Sequence, residues 1–109
     1  MRVSVVTGHH VPPDARAYAE AKLRRLEHYA HLEEVNLTVE RETALLPEAS
    51  AEIVLHVGRT RLSARQEAAS VREAIDGVID KADEQVRRHH DRVTDRKGRI
   101  RADAEPPRP

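Results

Sequence analysis

The longest regular pattern in the sequence is an amphipathic stretch from Ser70 to Asp95. It contains no proline, and its apolar residues recur every three or four positions, which is the spacing of one helix face. These apolar residues are Val71, Ala74, Ile75, Val78, Ile79, Ala82, Val86 and Val93. Ser70 can cap the first turn, and Glu73 is placed to complete a capping box. A helix with such a face is stable only when another layer covers it.

Composition limits what can surround this helix. The chain has 109 residues, enough for one domain with a modest core, and that core is aliphatic because Phe and Trp are absent. Cysteine is also absent, which excludes disulfides and thiol chemistry and fits a reducing compartment. No apolar run has the length of a membrane span, and the first residues do not resemble a signal peptide. We therefore expect a cytoplasmic domain.

Shorter patterns predict four strands and a first helix. The helix is expected from about Pro13 to Ala30. The strands are expected at Arg2–Thr7, Glu33–Thr43, Ala49–Val57 and Arg59–Gln66. The order predicts a two-layer α+β sandwich, β-α-β-β-β-α, with a four-stranded mixed sheet and both helices on one face, a double-stranded-RNA-binding-domain-like arrangement. The first two strands should be parallel, and the last three should form an antiparallel meander.

The C-terminal residues differ from the rest of the chain. Residues 98–109 contain three prolines and few apolar side chains, a composition typical of segments that do not pack. We therefore expect the domain to comprise residues 1–97, followed by a disordered tail or the start of a linker at 98–109.

No residue set indicates catalysis or a bound cofactor. Asp76 and Asp80 lie one helical turn apart, but no base or glycine-rich loop accompanies them, so we interpret them as solvated or salt-bridged helix residues. His28 and His31 have acceptable spacing for a metal, but no second ligand motif joins them. The prediction is a protein that is not an enzyme and has no cofactor and no metal.

The net charge is zero, but the charges are segregated. Acids dominate between His31 and His56, and cations dominate between Arg87 and Arg101. The helix cations of interest are Lys22, Arg25, Lys81, Arg88 and Arg92. Because both helices should cover the same sheet face, these residues could form one continuous patch for RNA phosphates; a solvated charged surface is the ordinary alternative. With only two aromatic residues, binding would depend on phosphates and RNA shape rather than base stacking.

A family resemblance is carried by four segments. They are VVTGHHV, AKLRRLEHY, SAEIVLHVGRTRLSA and AIDGVIDKADEQVRRHHDR, and they span about residues 2–95. In order and spacing they resemble the ribosome hibernation-promoting factors, also called ribosome-associated inhibitors. The AIDGVIDK segment is the most specific. The family's fold has the same β-α-β-β-β-α order.

The resemblance implies a stress-related or stationary-phase factor that binds the small ribosomal subunit through its 16S-type rRNA. It would occupy the mRNA and tRNA decoding channel, inhibit translation and protect idle ribosomes. The rRNA-binding positions carried over are Lys22, Arg25, Lys81, Arg88, Arg92 and His90, the last where a lysine is often found. One departure is Ser70-Val71-Arg72, where family members often have Asp-Met-Tyr.

Two alternatives stay open. Long forms of the family pair ribosomes into dimers through a C-terminal domain, and the chain could be a short form or the first domain of a long form. It could instead be a protein-interaction module that uses an edge strand or the outer sheet face, where Glu34, Glu40 and Glu52 are expected.

Overall fold

Four strands and two α-helices follow each other in the predicted β-α-β-β-β-α order. The computed structural model describes residues 1–42 and 47–102, with side chains described as far as residue 92. The strands are β1 (Arg2–Thr7), β2 (Leu32–Arg41), β3 (Ala49–Val57) and β4 (Thr60–Ala68). The helices are α1 (Asp14–Leu23), which continues as a 3-10 turn (Arg24–Leu26), and α2 (Val71–Ala102).

The sheet has the strand order β1-β2-β3-β4. β1 pairs parallel with β2, whereas β2, β3 and β4 pair antiparallel, which confirms the predicted mixed sheet. A two-residue turn joins Val57 of β3 to Thr60 of β4, and Gly58 in that turn adopts a φ of 59°. Glycine reaches this left-handed conformation without the steric cost that a Cβ would add.

One face of the sheet and one face of each helix enclose the core, and this confirms the predicted two-layer sandwich. The inward residues of β2 and β3 alternate along each strand, as expected for a sheet with one buried face. Fully buried side chains in the core include Leu23, Leu26, Leu37, Ile53, Leu55, Ile75 and Ile79. Burial of each such side chain contributes about 1.5–3 kcal/mol of transfer free energy, so the core is the main source of stability.

The start of α2 matches the predicted cap. The Glu73 backbone N–H donates to Ser70 Oγ at 3.2 Å, and the Ser70 hydroxyl donates to Glu73 Oε1 at 2.9 Å. Further along, Gly77 lies against β4. A Cβ at Gly77 would lie 2.7 Å from Cγ of Gln66, so glycine in the AIDG segment permits close approach of helix and strand.

The first helix is shorter than predicted. Its α-helical part ends at Leu23, and Ala30, the predicted last residue of the helix, is exposed. The chain instead tightens into the 3-10 turn, and the Tyr29 N–H then donates to the Leu26 carbonyl at 3.1 Å. Leu26 remains fully buried, so the chain turns toward β2 without losing its anchor in the core.

The second helix is longer than predicted. It runs past Asp95 to Ala102, so residues 98–102 of the predicted tail are helical. Residues 103–109 and the side chain of Val93 lie outside the described part of the chain, as do residues 43–46 beyond the end of β2.

Candidate nucleic-acid interface

Two polar flanks of α2 border its buried face. The seam flank, which faces α1, comprises Asp76, Asp80 and Asp83. The edge flank, which faces β4, comprises Lys81, Gln85, Arg88 and Arg92. The residues of the edge flank are spaced three or four apart, which places them on one line of the helix.

The N-terminal part of the seam flank is held by a tyrosine and a lysine of α1. The Tyr18 hydroxyl donates to Asp76 Oδ1 at 2.6 Å, and Lys22 Nζ lies 3.4 Å from the same oxygen. This hydrogen bond is the main reason that the pKa of Tyr18 is raised. Arg72 lies over the Tyr18 ring, with 4.5 Å from guanidinium carbon to ring centroid. The arginine found where relatives often carry tyrosine therefore stacks on an aromatic ring from the other helix.

The C-terminal part of the seam flank is held by Arg25. Its Nη1 lies 2.8 Å from Asp80 Oδ1, and its Nη2 donates to Asp83 Oδ2 at 3.3 Å. The hydrogen bond with Asp80 is the largest contribution to the raised pKa of Arg25. One guanidinium therefore bridges two carboxylates on successive turns of α2.

Tyr29 completes the seam by donating to Asp83 Oδ1 at 2.7 Å. Burial, together with this hydrogen bond, raises the pKa of Tyr29 to about 12. Burial also disfavours the charge of Asp83, whose side chain is only 19% exposed, but hydrogen bonds from Tyr29 and Arg25 outweigh it and lower the pKa of Asp83. Asp83 is thus an ionised, well-protected acceptor at the helix–helix contact.

The structure therefore separates cations that we expected in one patch. Lys22 and Arg25 engage the acids of the seam flank, whereas Lys81, Arg88 and Arg92 lie on the edge flank. The expectation of one continuous positive surface is wrong in its geometry, because carboxylates of α2 lie among the α1 cations. The assignment of Lys22 and Arg25 to rRNA binding stays a prediction.

On the edge flank, two side chains donate to backbone carbonyls of β4. Lys81 Nζ donates to the Arg65 carbonyl and Gln85 Nε2 to the Ser63 carbonyl, each at 2.8 Å. β4 is an edge strand, so these donors satisfy acceptors that no neighbouring strand pairs. No pattern in the sequence indicates this interaction, because Lys81 and Gln85 reach a partner strand outside their own helix.

Beyond Gln85, the edge flank borders a cleft of about 530 Å³. Its lining residues are Leu62, Gln85, Arg88, Asp91 and Arg92. Arg88 pairs with Glu84 of its own helix, yet its side chain remains 71% exposed. His90 is also exposed, and its Nδ1 lies 3.8 Å from Asp91 Oδ1. Exposed ion pairs of this kind contribute about 0–1 kcal/mol, so an incoming phosphate can replace the carboxylate partner.

The described part of the chain offers little for other chemistry. Within the residues whose side chains are described, no three His, Cys, Asp or Glu are grouped so that they could hold a metal ion. Asp76 and Asp80 form the ion pairs of the seam. In the same described part, every helix is too short or too polar to cross a membrane.

These features define a small α+β domain with a cationic helix flank beside a sheet edge. The family model described as "Sigma 54 modulation protein / S30EA ribosomal protein" matches residues 4–94. The chain belongs to this family, and the resemblance given by its four segments is confirmed. The family comprises ribosome-associated modulation proteins rather than enzymes, which confirms that the chain is not an enzyme.

Two solved structures are similar to this chain. The N-terminal domain of Protein Y from Thermus thermophilus has a TM-score of 0.68 and 27% sequence identity, over 82% of this chain and 99% of that one. A ribosomal subunit interface protein from Coxiella burnetii has a TM-score of 0.71, over 83% of this chain and 98% of that one. Its identity is 13%, so this likeness shows the fold alone. A search of curated protein sequences finds no significant match.

Proposed function

We propose that this chain is a cytoplasmic ribosome hibernation factor of stress and stationary phase. It binds the small ribosomal subunit through 16S-type rRNA in the mRNA and tRNA decoding channel. Binding there inhibits translation and protects idle ribosomes. Family membership supports ribosome association. The observation that carries the proposal is the edge flank, where Lys81, Arg88 and Arg92 are exposed and the two arginines border an open cleft.

The edge flank suits phosphate rather than bases. Arg88 and Arg92 border the cleft one helical turn apart, and a guanidinium can bind phosphate oxygens through two parallel hydrogen bonds. Lys81 uses its ammonium group for the Arg65 carbonyl, but an ammonium has three donors, so others remain for phosphate. Lys22, Arg25 and His90 are secondary contacts in this proposal. Phosphate must compete for the first two with the acids of the seam flank.

The test is sedimentation of the chain with small ribosomal subunits through a sucrose gradient. In one variant Lys81, Arg88 and Arg92 are all changed to Glu, and we expect it to remain at the top of the gradient. A matched control changes Arg2, Arg16 and Arg24 to Glu. This produces the same change in net charge at exposed residues away from the edge flank, and the control should sediment with the subunits.

Lys81 also covers an edge carbonyl, so the triple variant could lose stability. A milder variant, Arg88→Gln with Arg92→Gln, leaves that hydrogen bond in place and should bind more weakly while melting at the unchanged temperature. Binding of wild-type protein should weaken steeply with salt, because several phosphate contacts release counterions. Retention of binding by the Glu variant would contradict the edge flank as the binding surface. The same gradients report ribosome dimers, which we expect only if a C-terminal domain follows in the full-length protein.

A second candidate function is a protein-interaction module, favoured by one observation on β1. Val3 and Val6 are apolar residues that are 41% and 54% exposed on this edge strand, and Met1, which precedes the strand, is 42% exposed. An added partner strand would cover them and pair the free edge. Co-purification with a protein that survives nuclease treatment and excludes ribosomes would favour this function over the first.

A further inference from the structure

Cations also lie outside the two helices, in β4 and in the turn that precedes it. Arg61 and Arg65 are exposed on the sheet face that points away from the helices, where they lie opposite His56 and Glu52 of β3. Arg59 precedes them in the turn between β3 and β4 and is also exposed. We call these three arginines, Arg59, Arg61 and Arg65, the strand row.

The strand row and the edge flank run side by side. Lys81 of α2 meets Arg65 of β4, and Gln85 meets Ser63, so the helix and the strand run in opposite directions. The cleft residues Arg88 and Arg92 consequently lie beside Leu62, toward the Arg59 end of β4. Lys81 and Arg92 are about 16 Å apart along the helix. The strand row spans about 20 Å, so the two rows are similar in length.

Only one strand separates the two rows, because β4 is the edge of the sheet. Arg61 and Arg65 of the strand row project from its outer face, and the edge flank lies on the other side. A bare strand edge would present carbonyl oxygens that repel a phosphate. Here the carbonyls of Ser63 and Arg65 are covered by Gln85 and Lys81, and Gln66 Nε2 covers the carbonyl of Glu67 at 2.8 Å.

Two acids at this edge, Glu67 and Glu84, form exposed ion pairs with arginines. Glu67 pairs with Arg65 at 3.2 Å, and both side chains are more than half exposed, at 54% and 55%. Glu84 pairs with Arg88 in a similarly exposed setting. Exposed pairs of this kind contribute little free energy, so their arginines can turn toward a phosphate backbone. Arg25 is held more firmly than these arginines, because it bridges two carboxylates in the seam.

We propose that the β4 edge is an RNA-binding surface in its own right. The strand row and the edge flank together hold one phosphodiester backbone of a folded RNA along β4, with guanidinium groups on both sides of it. This inference rests on the proposed ribosome association and extends it to residues outside both helices. The ligand is a segment of small-subunit rRNA, because the surface offers charge and shape but no aromatic platform for bases.

The first experiment uses the absence of cysteine from the chain. Ser63→Cys and Ser4→Cys each provide a single site for an iron chelate that generates hydroxyl radicals. Both serines are exposed on the outer sheet face, in one cross-strand row through Asn36 and Val54, but they lie at opposite edges. In complexes with small subunits, we expect rRNA cleavage from the Ser63 position and only background cleavage from the Ser4 position.

The second experiment compares two neutralised pairs. Arg61→Gln with Arg65→Gln should lower the affinity for small subunits about ten-fold, and the slope of log affinity against log salt should decrease by about 0.7 for each phosphate that the variant no longer binds. Arg16→Gln with Arg24→Gln makes the same charge change on exposed residues of α1 and its 3-10 turn, and should leave both quantities unchanged. Melting temperatures of all variants establish that they are folded.

Each outcome decides between the claims. Cleavage from Ser63 together with loss of affinity in the β4 pair supports the β4 edge. Wild-type binding combined with equal affinities for the two pairs, or with equal cleavage from the two serines, overturns the β4 edge and leaves the proposed function in place. Absence of wild-type binding to small subunits overturns both.

Discussion

The two flanks of α2 both carry charged residues, but the structure uses these charges in different ways. On the seam flank, Asp80 and Asp83 are joined to α1 through Arg25, and Tyr29 adds a hydrogen bond to Asp83. On the edge flank, Arg88 pairs with Glu84, an exposed partner one turn away on its own helix. Charge on the seam flank therefore holds the two helices together, while charge on the edge flank remains available to a ligand. Whether a cation is available to a ligand therefore depends on whether a neighbouring helix or strand places a carboxylate against it.

The largest effect that would test this difference is on stability. Asp83→Ala should lower the free energy of unfolding by about 2 kcal/mol, because Arg25 and the half-buried Tyr29 hydroxyl both lose an acceptor. Glu84→Ala, at the next position in the sequence, should cost no more than about 0.5 kcal/mol, since it breaks only an exposed pair. Urea denaturation measures both values. Equal losses would show that the seam is no more than a solvated surface.

The next effect is on binding. Arg88→Gln with Arg92→Gln should weaken binding to small ribosomal subunits about ten-fold, because two exposed guanidinium groups no longer bind phosphate. Lys22→Gln with Arg25→Gln removes the same charge from residues that face the seam flank and should weaken binding only about two-fold, since these cations are engaged by acids. Affinity is measured at one fixed salt concentration. A larger loss from the α1 pair would reverse the assignment of the two flanks.

The smallest effect concerns alkaline pH. Burial and Asp83 raise the pKa of Tyr29 in the folded protein to about 12, above the ordinary tyrosine value of about 10. The resulting stabilisation is complete below about pH 10 and is lost as pH rises through about 12. Tyr29→Phe should remove this loss and reduce stability near neutral pH by about 1 kcal/mol.

Ultraviolet titration of the phenolate checks the tyrosine prediction directly. The chain has two tyrosines and no tryptophan, so the Tyr18→Phe variant isolates the signal of Tyr29. A titration midpoint near the ordinary tyrosine value in that variant would contradict the buried hydrogen bond to Asp83.

Local patterns in the sequence were sufficient to predict the fold but not the distribution of charge. Short local patterns predicted the four strands, and the three-and-four spacing predicted the buried face of α2, because both kinds of pattern arise from backbone geometry. Tyr18 and Asp76 are 58 positions apart, as are Arg25 and Asp83. Such interactions depend on how two helices lie against each other, and no local period reveals them.

The predicted end of α1 was also wrong, because it depends on contacts with other elements. The end of α1 is set by the turn that returns the chain to β2, where Leu26 keeps its place in the core and Tyr29 reaches α2. Side chains up to Ala30 would suit a longer helix, so propensity alone could not find this end. The contact of Arg72 could not be predicted from the sequence either. Comparison with the family indicated a lost aromatic residue at this position, whereas the structure places Arg72 on the ring of Tyr18.

The covered carbonyls of β4 have a further consequence for self-association. An unpaired strand edge is a template on which identical chains can add to one another, and lysine is a common protection against this. Lys81 and Gln85 close that template from the helix side, whereas β1, at the other end of the sheet, is six residues long, and a short edge strand offers less template for such growth. Replacement of Lys81 would therefore reopen an aggregation-prone edge, and the protein would aggregate more as its concentration rises.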